Sequence, residues 1–138
     1  MNDRETLALI GSGPSAIFFL KHLLDAAEDG GKIGMVSIFE KAPLTGMGMP
    51  YSPLTTDLHS MSNISPEELP ELPVGFADWL RAQDREKLAE LGVPGEQEIT
   101  DDGIYSRLAL GKYLRNQYKM LLGRLEGAGI RVKEHPNT

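Results

Sequence analysis

At 138 residues, 41% apolar and 25% charged, the chain is long enough to bury the core of one domain and has the composition of an ordinary globular protein. A net charge of −6 with a pI near 5.0 argues against a nucleic-acid partner or an anionic-membrane surface, and no apolar run approaches the length of a membrane span. The absence of cysteine excludes disulfides and thiolate chemistry, the scattered His22, His59 and His135 argue against a metal site, and the polar, acidic start, unlike a signal peptide, predicts a cytoplasmic location.

The first predicted element is a strand over residues 6–10, Thr6-Leu7-Ala8-Leu9-Ile10. It runs into Gly11-Ser12-Gly13-Pro14-Ser15-Ala16 and then into the helical sequence Ile17-Phe18-Phe19-Leu20-Lys21-His22-Leu23-Leu24. A strand, G-x-G-x-x-A and a helix in this order read as a dinucleotide cradle. Gly11 allows the tight turn, Gly13 lets the backbone approach a pyrophosphate, and Ala16 is small enough for the helix to pack on the strand. The helix N-terminus adds free N–H groups and the positive end of its dipole. Pro14 suits the first helical turn, where its missing N–H costs little. Asp29-Gly30-Gly31-Lys32 then predicts a turn, and Ile33 to Phe39 a second strand ending at Glu40. Glu40 lies 24 residues after Ala16, against a spacing of about 20 for the acidic residue that takes a ribose hydroxyl. A carboxylate there disfavours a 2′-phosphate, an inference softened by the adjacent Lys41.

Six prolines interrupt residues 41–74, which predicts a largely irregular segment and the natural place for cofactor contacts. Within it, Gly46-Met47-Gly48-Met49 reads equally as a loop tip whose methionines fill gaps and as backbone that meets a ligand. Beyond Gly75, a short helix carries Phe76 and Leu80 with Trp79 as a packing anchor, and residues 85–91 form another that Gly92 closes. Residues 94–103 read as a polar loop. Residues 106–126 predict the longest helix, with Leu110, Leu114, Tyr118, Leu121 and Leu125 on one face and Gly127 and Gly129 at its end. Residues 130–133 alternate like a strand.

The ordered blocks Ile10-Gly11-Ser12-Gly13-Pro14-Ser15-Ala16, Glu40-Lys41, Gly46-Met47-Gly48-Met49-Pro50-Tyr51-Ser52 and Met61-Ser62-Asn63-Ile64 carry a resemblance, which continues in Phe76-Ala77-Asp78-Trp79-Leu80 and in Tyr105 to Leu114. Over nearly its whole length the chain resembles the N-terminal part of a bacterial FAD/NAD(P)-binding family distantly related to flavin-dependent monooxygenases, including proteins like the FAD-dependent urate hydroxylases. The resemblance implies an α/β fold: a Rossmann-like FAD/NAD(P)-binding domain, three-layered around a parallel sheet and incomplete, spanning residues 1–138 with the irregular insert at about 41–74. It implies that Gly11, Ser12, Gly13, Pro14 and Ser15 hold the FAD pyrophosphate and that Glu40 binds the adenosine ribose. Gly46 and Gly48 would lie along the flavin half, Asn63 near the isoalloxazine ring and Arg107 close to the cofactor. Read by itself, Asn63 is a turn former beside Ser62 and Ser65, and Arg107 a surface charge at a helix start. No catalytic residue follows; His59 is the only histidine of the insert and has no better claim than any general acid/base group.

Relatives of this type continue past the third strand, to a late Gly-Asp motif at the flavin and commonly a unit for NAD(P)H, the electron donor. A chain ending at Thr138 therefore predicts a shortened form, a gene fragment, or a small member that finds its other half elsewhere. With a fourth strand missing, the first strand has an open apolar edge, which predicts a homo-oligomer. The leading expectation is the FAD-binding portion of a flavin-dependent oxidoreductase or monooxygenase, incomplete as a catalyst. The alternatives are a non-catalytic dinucleotide-binding module and half of an NAD-dependent dehydrogenase. The long insert after Glu40 disfavours the last.

Overall fold

The computed structural model describes residues 4–28, 31–57 and 59–138. Three parallel strands, β1 (Glu5–Ile10), β2 (Ile33–Phe39) and β3 (Arg131–His135), form one sheet in the order β1-β2-β3. Helix α1 (Pro14–Glu28) joins the first two. The second crossover carries the insert, the short helices α2 (Phe76–Arg81) and α3 (Arg85–Glu90), and the long α4 (Arg107–Gly127). Asp29 and Gly30, half of the expected turn before β2, lie outside the described residues. Read from the far edge, the order is the 3-2-1 half of a doubly wound nucleotide-binding sheet.

Register decides which side chains meet the helices. Leu7, Val36 and Val132 form one row across the sheet, and Leu9, Ile38 and Glu134 the next. Val36 and Ile38 are fully buried beneath Ile17, Leu20 and Leu24 of α1 and the apolar face of α4. Both crossovers step the same way along the sheet, so a right-handed path puts α1 and α4 on the same side, where they pack on each other. The other face presents Thr6, Ala8 and Ile10, then Met35, Ser37 and Phe39, then Arg131, Lys133 and His135, with the Phe39 and His135 rings stacked at 4.6 Å. Among the described residues no element covers this face, and β1 pairs with a strand on one side only. The third layer of the expected architecture is thus absent from the described part, which shows one helical layer on one parallel sheet. No described helix is long and apolar enough to cross a membrane.

Helix α4 is the spine. Ser106 caps its start by accepting from the Ala109 N–H at 3.0 Å, and Gly129, at φ +89°, ends it while Ile130 N–H bonds back to the Leu125 carbonyl. Leu110, Leu114, Tyr118, Leu121 and Leu125 are buried, as the sequence period predicts. Phe76, Trp79, Tyr105 and Tyr113 form an aromatic cluster against it. The irregular insert is tied to α4 and its cap at several points. Gln117, fully buried, accepts from the Val74 N–H at 2.8 Å, and the Tyr113 hydroxyl donates to the Val74 carbonyl at 2.6 Å. Met61 forms an antiparallel bridge with Ser106. The Tyr51 carbonyl lies directly on Gly111, where a Cβ would collide with it.

Gly111→Ala sets about 1 kcal/mol of improved helix propensity against about 1–3 kcal/mol of overpacking. The colliding atom is backbone rather than a side chain that can swing away, so the collision is expected to win. Urea unfolding should show a lower midpoint for the variant; an equal or higher one would refute the close approach.

Candidate functional site

The residues singled out in the sequence gather at the carboxyl ends of β1 and β2, where open parallel sheets bind ligands. Gly11, at φ +93°, turns the chain out of β1, and its N–H still bonds to the Phe39 carbonyl at 2.7 Å. Pro14 opens α1, and the first bond of the helix ladder is from Ile17 N–H to the Gly13 carbonyl, at 3.1 Å. The Ser15 and Ala16 N–H groups lie in the first turn, ahead of any intrahelical acceptor. Ser15 is exposed and Ala16 half-buried.

Ser12 and Glu40 are joined directly. The Ser12 hydroxyl donates to Glu40 Oε1 at 2.6 Å and its N–H to the same oxygen at 3.2 Å, while Ala42 N–H donates to Oε2 at 3.0 Å. Burial opposes the charge on Glu40, but the Ser12 hydroxyl and the Ala42 and Ser12 N–H groups outweigh it and hold the carboxyl below its ordinary value. Ser12 and Ala42 thereby engage three of roughly four lone-pair sites of the carboxylate. The main chain of Glu40 is pinned as well, to the His135 carbonyl at 3.0 Å and from Thr138 N–H at 2.9 Å.

The insert closes over the turn. Gly46 N–H donates to the Ser12 hydroxyl at 2.9 Å, and Gly48, at φ +86°, lies with its Cα against Gly13 and Pro14. A Cβ on Gly13 would stand 3.5 Å from Gly48 Cα. Gly13 and Gly48 thus pack on each other beside the α1 N-terminus, whose N–H groups without intrahelical acceptors fit a dinucleotide pyrophosphate. Gly46 is buried against the Tyr118 ring, so its missing side chain serves helix packing. Met47 is buried and Met49 exposed. Beside the cradle lies a cavity of about 450 Å³, lined among others by Glu40, Lys41, Pro43, Leu44, Met49 and Leu54.

Asn63 and Arg107 stand apart from this group. Arg107 starts α4, with its N–H bonded to the Ser60 carbonyl at 2.8 Å and its Nε to the Met61 carbonyl at 3.2 Å. Asn63 is exposed two residues further along the same segment. His59 is exposed and donates its N–H to Asp57. Four residues not marked from the sequence hold the glycine loop from behind: Thr45, Arg115, Tyr118 and Glu134. The alternation in the sequence ends the last strand at residue 133, short of Glu134, whose carboxylate at an inward-facing position of β3 is the one signal that could have found them.

A carboxyl whose folded pKa lies below its unfolded value adds stability that is complete above the unfolded value, 4.5 for Glu40, and is lost as pH falls through the folded one. The stability difference between wild type and Glu40→Gln, from urea midpoints between about pH 3 and pH 7, should therefore be largest at neutral pH and shrink below about 4.5. A difference independent of pH would contradict the Ser12–Glu40 pairing.

Comparison with known proteins agrees with this geometry. The family described as FAD-NAD(P)-binding matches residues 8–138. The chain is also similar to the uncharacterized protein YdhS of Escherichia coli (strain K12), with 33% identity over 116 residues, 84% of this chain. It spans about a fifth, 21%, of the length of that relative. With a match that starts inside β1, takes in the turn, Glu40 and the insert, and runs through β3, the chain belongs to the FAD-NAD(P)-binding family.

Proposed function

We propose that this chain is the FAD-binding portion of a flavin-dependent oxidoreductase. The observation that carries the reading is the junction of Ser12, Glu40 and Gly46, which sets Gly48 on Gly13 in front of the α1 N-terminus. The N–H groups of the turn and of Ser15 and Ala16 suit the pyrophosphate, and Glu40, kept ionised, suits a ribose hydroxyl donor. The adjoining cavity, apolar along Pro43, Leu44, Met49 and Leu54 with Lys41 and Glu40 on its wall, has room for a nucleoside. Under this reading the flavin half runs past Gly46 and Gly48 toward Asn63, with Arg107 close by. The contact of Tyr51 with Gly111 supports this path, because it joins the loop to the first turns of α4.

FAD is favoured over a nicotinamide dinucleotide as the resident group because the connection after Glu40 is a long insert that folds back on the turn, where a plain nicotinamide unit has a short loop. The flavin, when bound, supplies the redox chemistry, and this chain positions it. NAD(P)H is the proposed electron donor of the larger protein. The edge of β1 that pairs with no described strand, with Ile10 at 85% exposure beside it, is proposed to pair with a second copy. A monomer in light scattering at high concentration would count against that pairing.

Titration with FAD, followed by flavin fluorescence and melting temperature with NADH run in parallel, is expected to show saturable FAD binding and a raised melting temperature. Gly13→Asp, which puts a carboxylate at the pyrophosphate, should abolish both effects while the unliganded variant still unfolds cooperatively. Tighter binding of NADH than of FAD would favour the dehydrogenase alternative and overturn the flavin reading.

A further inference from the structure

Glu134 occupies an odd place. It completes the row Leu9–Ile38–Glu134 on the face of the sheet that carries the helices, where β1 and β2 supply apolar side chains. A carboxylate half-withdrawn from water there needs partners, and it has them. Thr45 Oγ1 donates to Oε2 at 2.7 Å, the Tyr118 hydroxyl donates to the same oxygen at 2.9 Å, and Lys119 Nζ lies 2.9 Å from Oε1. A carboxylate accepts only, so the Thr45 proton is committed to Glu134, and Thr45 Oγ1 accepts in turn from Arg115 Nη1 at 3.3 Å. The same Arg115 nitrogen donates to the Thr45 carbonyl. Side chain and backbone of Thr45 are both held, and the residue is buried.

Thr45 immediately precedes Gly46, whose N–H bonds to Ser12 and whose Cα side rests on the Tyr118 ring. Tyr118 thus supports the loop twice, by its ring beneath Gly46 and by its hydroxyl on Glu134. Neither Thr45 nor Glu134 lines the cavity beside the cradle. Whatever they do for a ligand, they do through the loop.

We infer that Thr45 and Glu134 are positioning residues of the dinucleotide site, which anchor residues 45–48 from the end of β3 and so keep Gly48 on Gly13 and the Gly46 N–H on Ser12. The inference rests on the reading of the cradle as a dinucleotide site. It makes β3, remote from the turn in sequence, part of the binding apparatus.

The test compares Thr45→Val, which keeps the shape and removes the hydroxyl, with Thr45→Ser, which restores it. Val93→Ala, a truncation of a buried side chain outside this network, is the control for general destabilisation. FAD dissociation constants are measured by flavin fluorescence on the full chain, well below every melting temperature. Thr45→Val is expected to weaken FAD binding about tenfold, the worth of one charge-assisted hydrogen bond, and Thr45→Ser to stay within about threefold of wild type. Val93→Ala should lower the melting temperature and leave the dissociation constant alone. Unchanged binding by Thr45→Val, or equal weakening by Val93→Ala, overturns the inference. If Thr45→Val does not fold, Tyr118→Phe, which removes one donor from the same carboxylate and keeps the ring under Gly46, carries the comparison. About a threefold loss is expected of it, and no loss overturns the inference. Wild-type protein that binds neither FAD nor NADH overturns the dinucleotide reading and this inference together, whereas normal binding by both wild type and Thr45→Val overturns this inference alone.

Discussion

The Ser12 hydroxyl has one proton to give, and Glu40, as a carboxylate, can only accept it. That leaves the lone pairs of the hydroxyl for the Gly46 N–H, and the direction of each bond is set by chemistry rather than by choice of geometry. Three stretches of chain meet at this one fully buried oxygen: the turn after β1, the end of β2 and the start of the insert. Without it, Glu40 would lose its shortest donor and Gly46 N–H would be buried without an acceptor, a cost of about 1–3 kcal/mol. The rest of the site inherits its shape from that junction.

Around it, the insert is structured by contact rather than by secondary structure. Gly48 lies on Gly13, Gly46 on the Tyr118 ring, and the Tyr51 carbonyl on Gly111. The last two are approaches closer than a side chain permits and tie the segment to α4, while the first is a van der Waals contact that ties it to the turn. A proline-rich stretch that makes almost no ladder bonds is thereby held at several points along its length. The carboxylates at the ends of β2 and β3 work in parallel. Glu40 binds the turn and Glu134 binds the loop that covers it, and hydrogen-bond donors keep both ionised against the effect of burial.

Much of this was legible in the sequence because its causes are local. The β1-α1-β2 unit follows from apolar runs, two glycines and a spacing, and α4 from leucines and a tyrosine three or four residues apart with a serine before and a glycine after. Glu40 was found by its distance from the turn. Other parts depend on partners far along the chain. Thr45 and Glu134 are 89 residues apart, and nothing near either one announces the other. The glycine at 46 advertises freedom to approach something, and only the folded chain shows that the neighbour is the Tyr118 ring. The one-sided helical layer follows from the direction of the second crossover, which no periodicity encodes.

The order of the strands also sets a timetable for biosynthesis. Val36 and Ile38 sit at the centre of the sheet, yet part of the cover over them is α4, whose first core leucine is Leu110. About seventy residues separate them. At ribosomal rates of about 5–20 residues per second, the nascent β1-α1-β2 unit waits several seconds with an unfinished core. The insert, residues 41–74, is completed about halfway through that interval and then has nothing to lie on until α4 is made. The cradle sequence thus emerges well before α4 and β3, the elements that shape the cradle, so among the described elements the site takes form only once β3 is made.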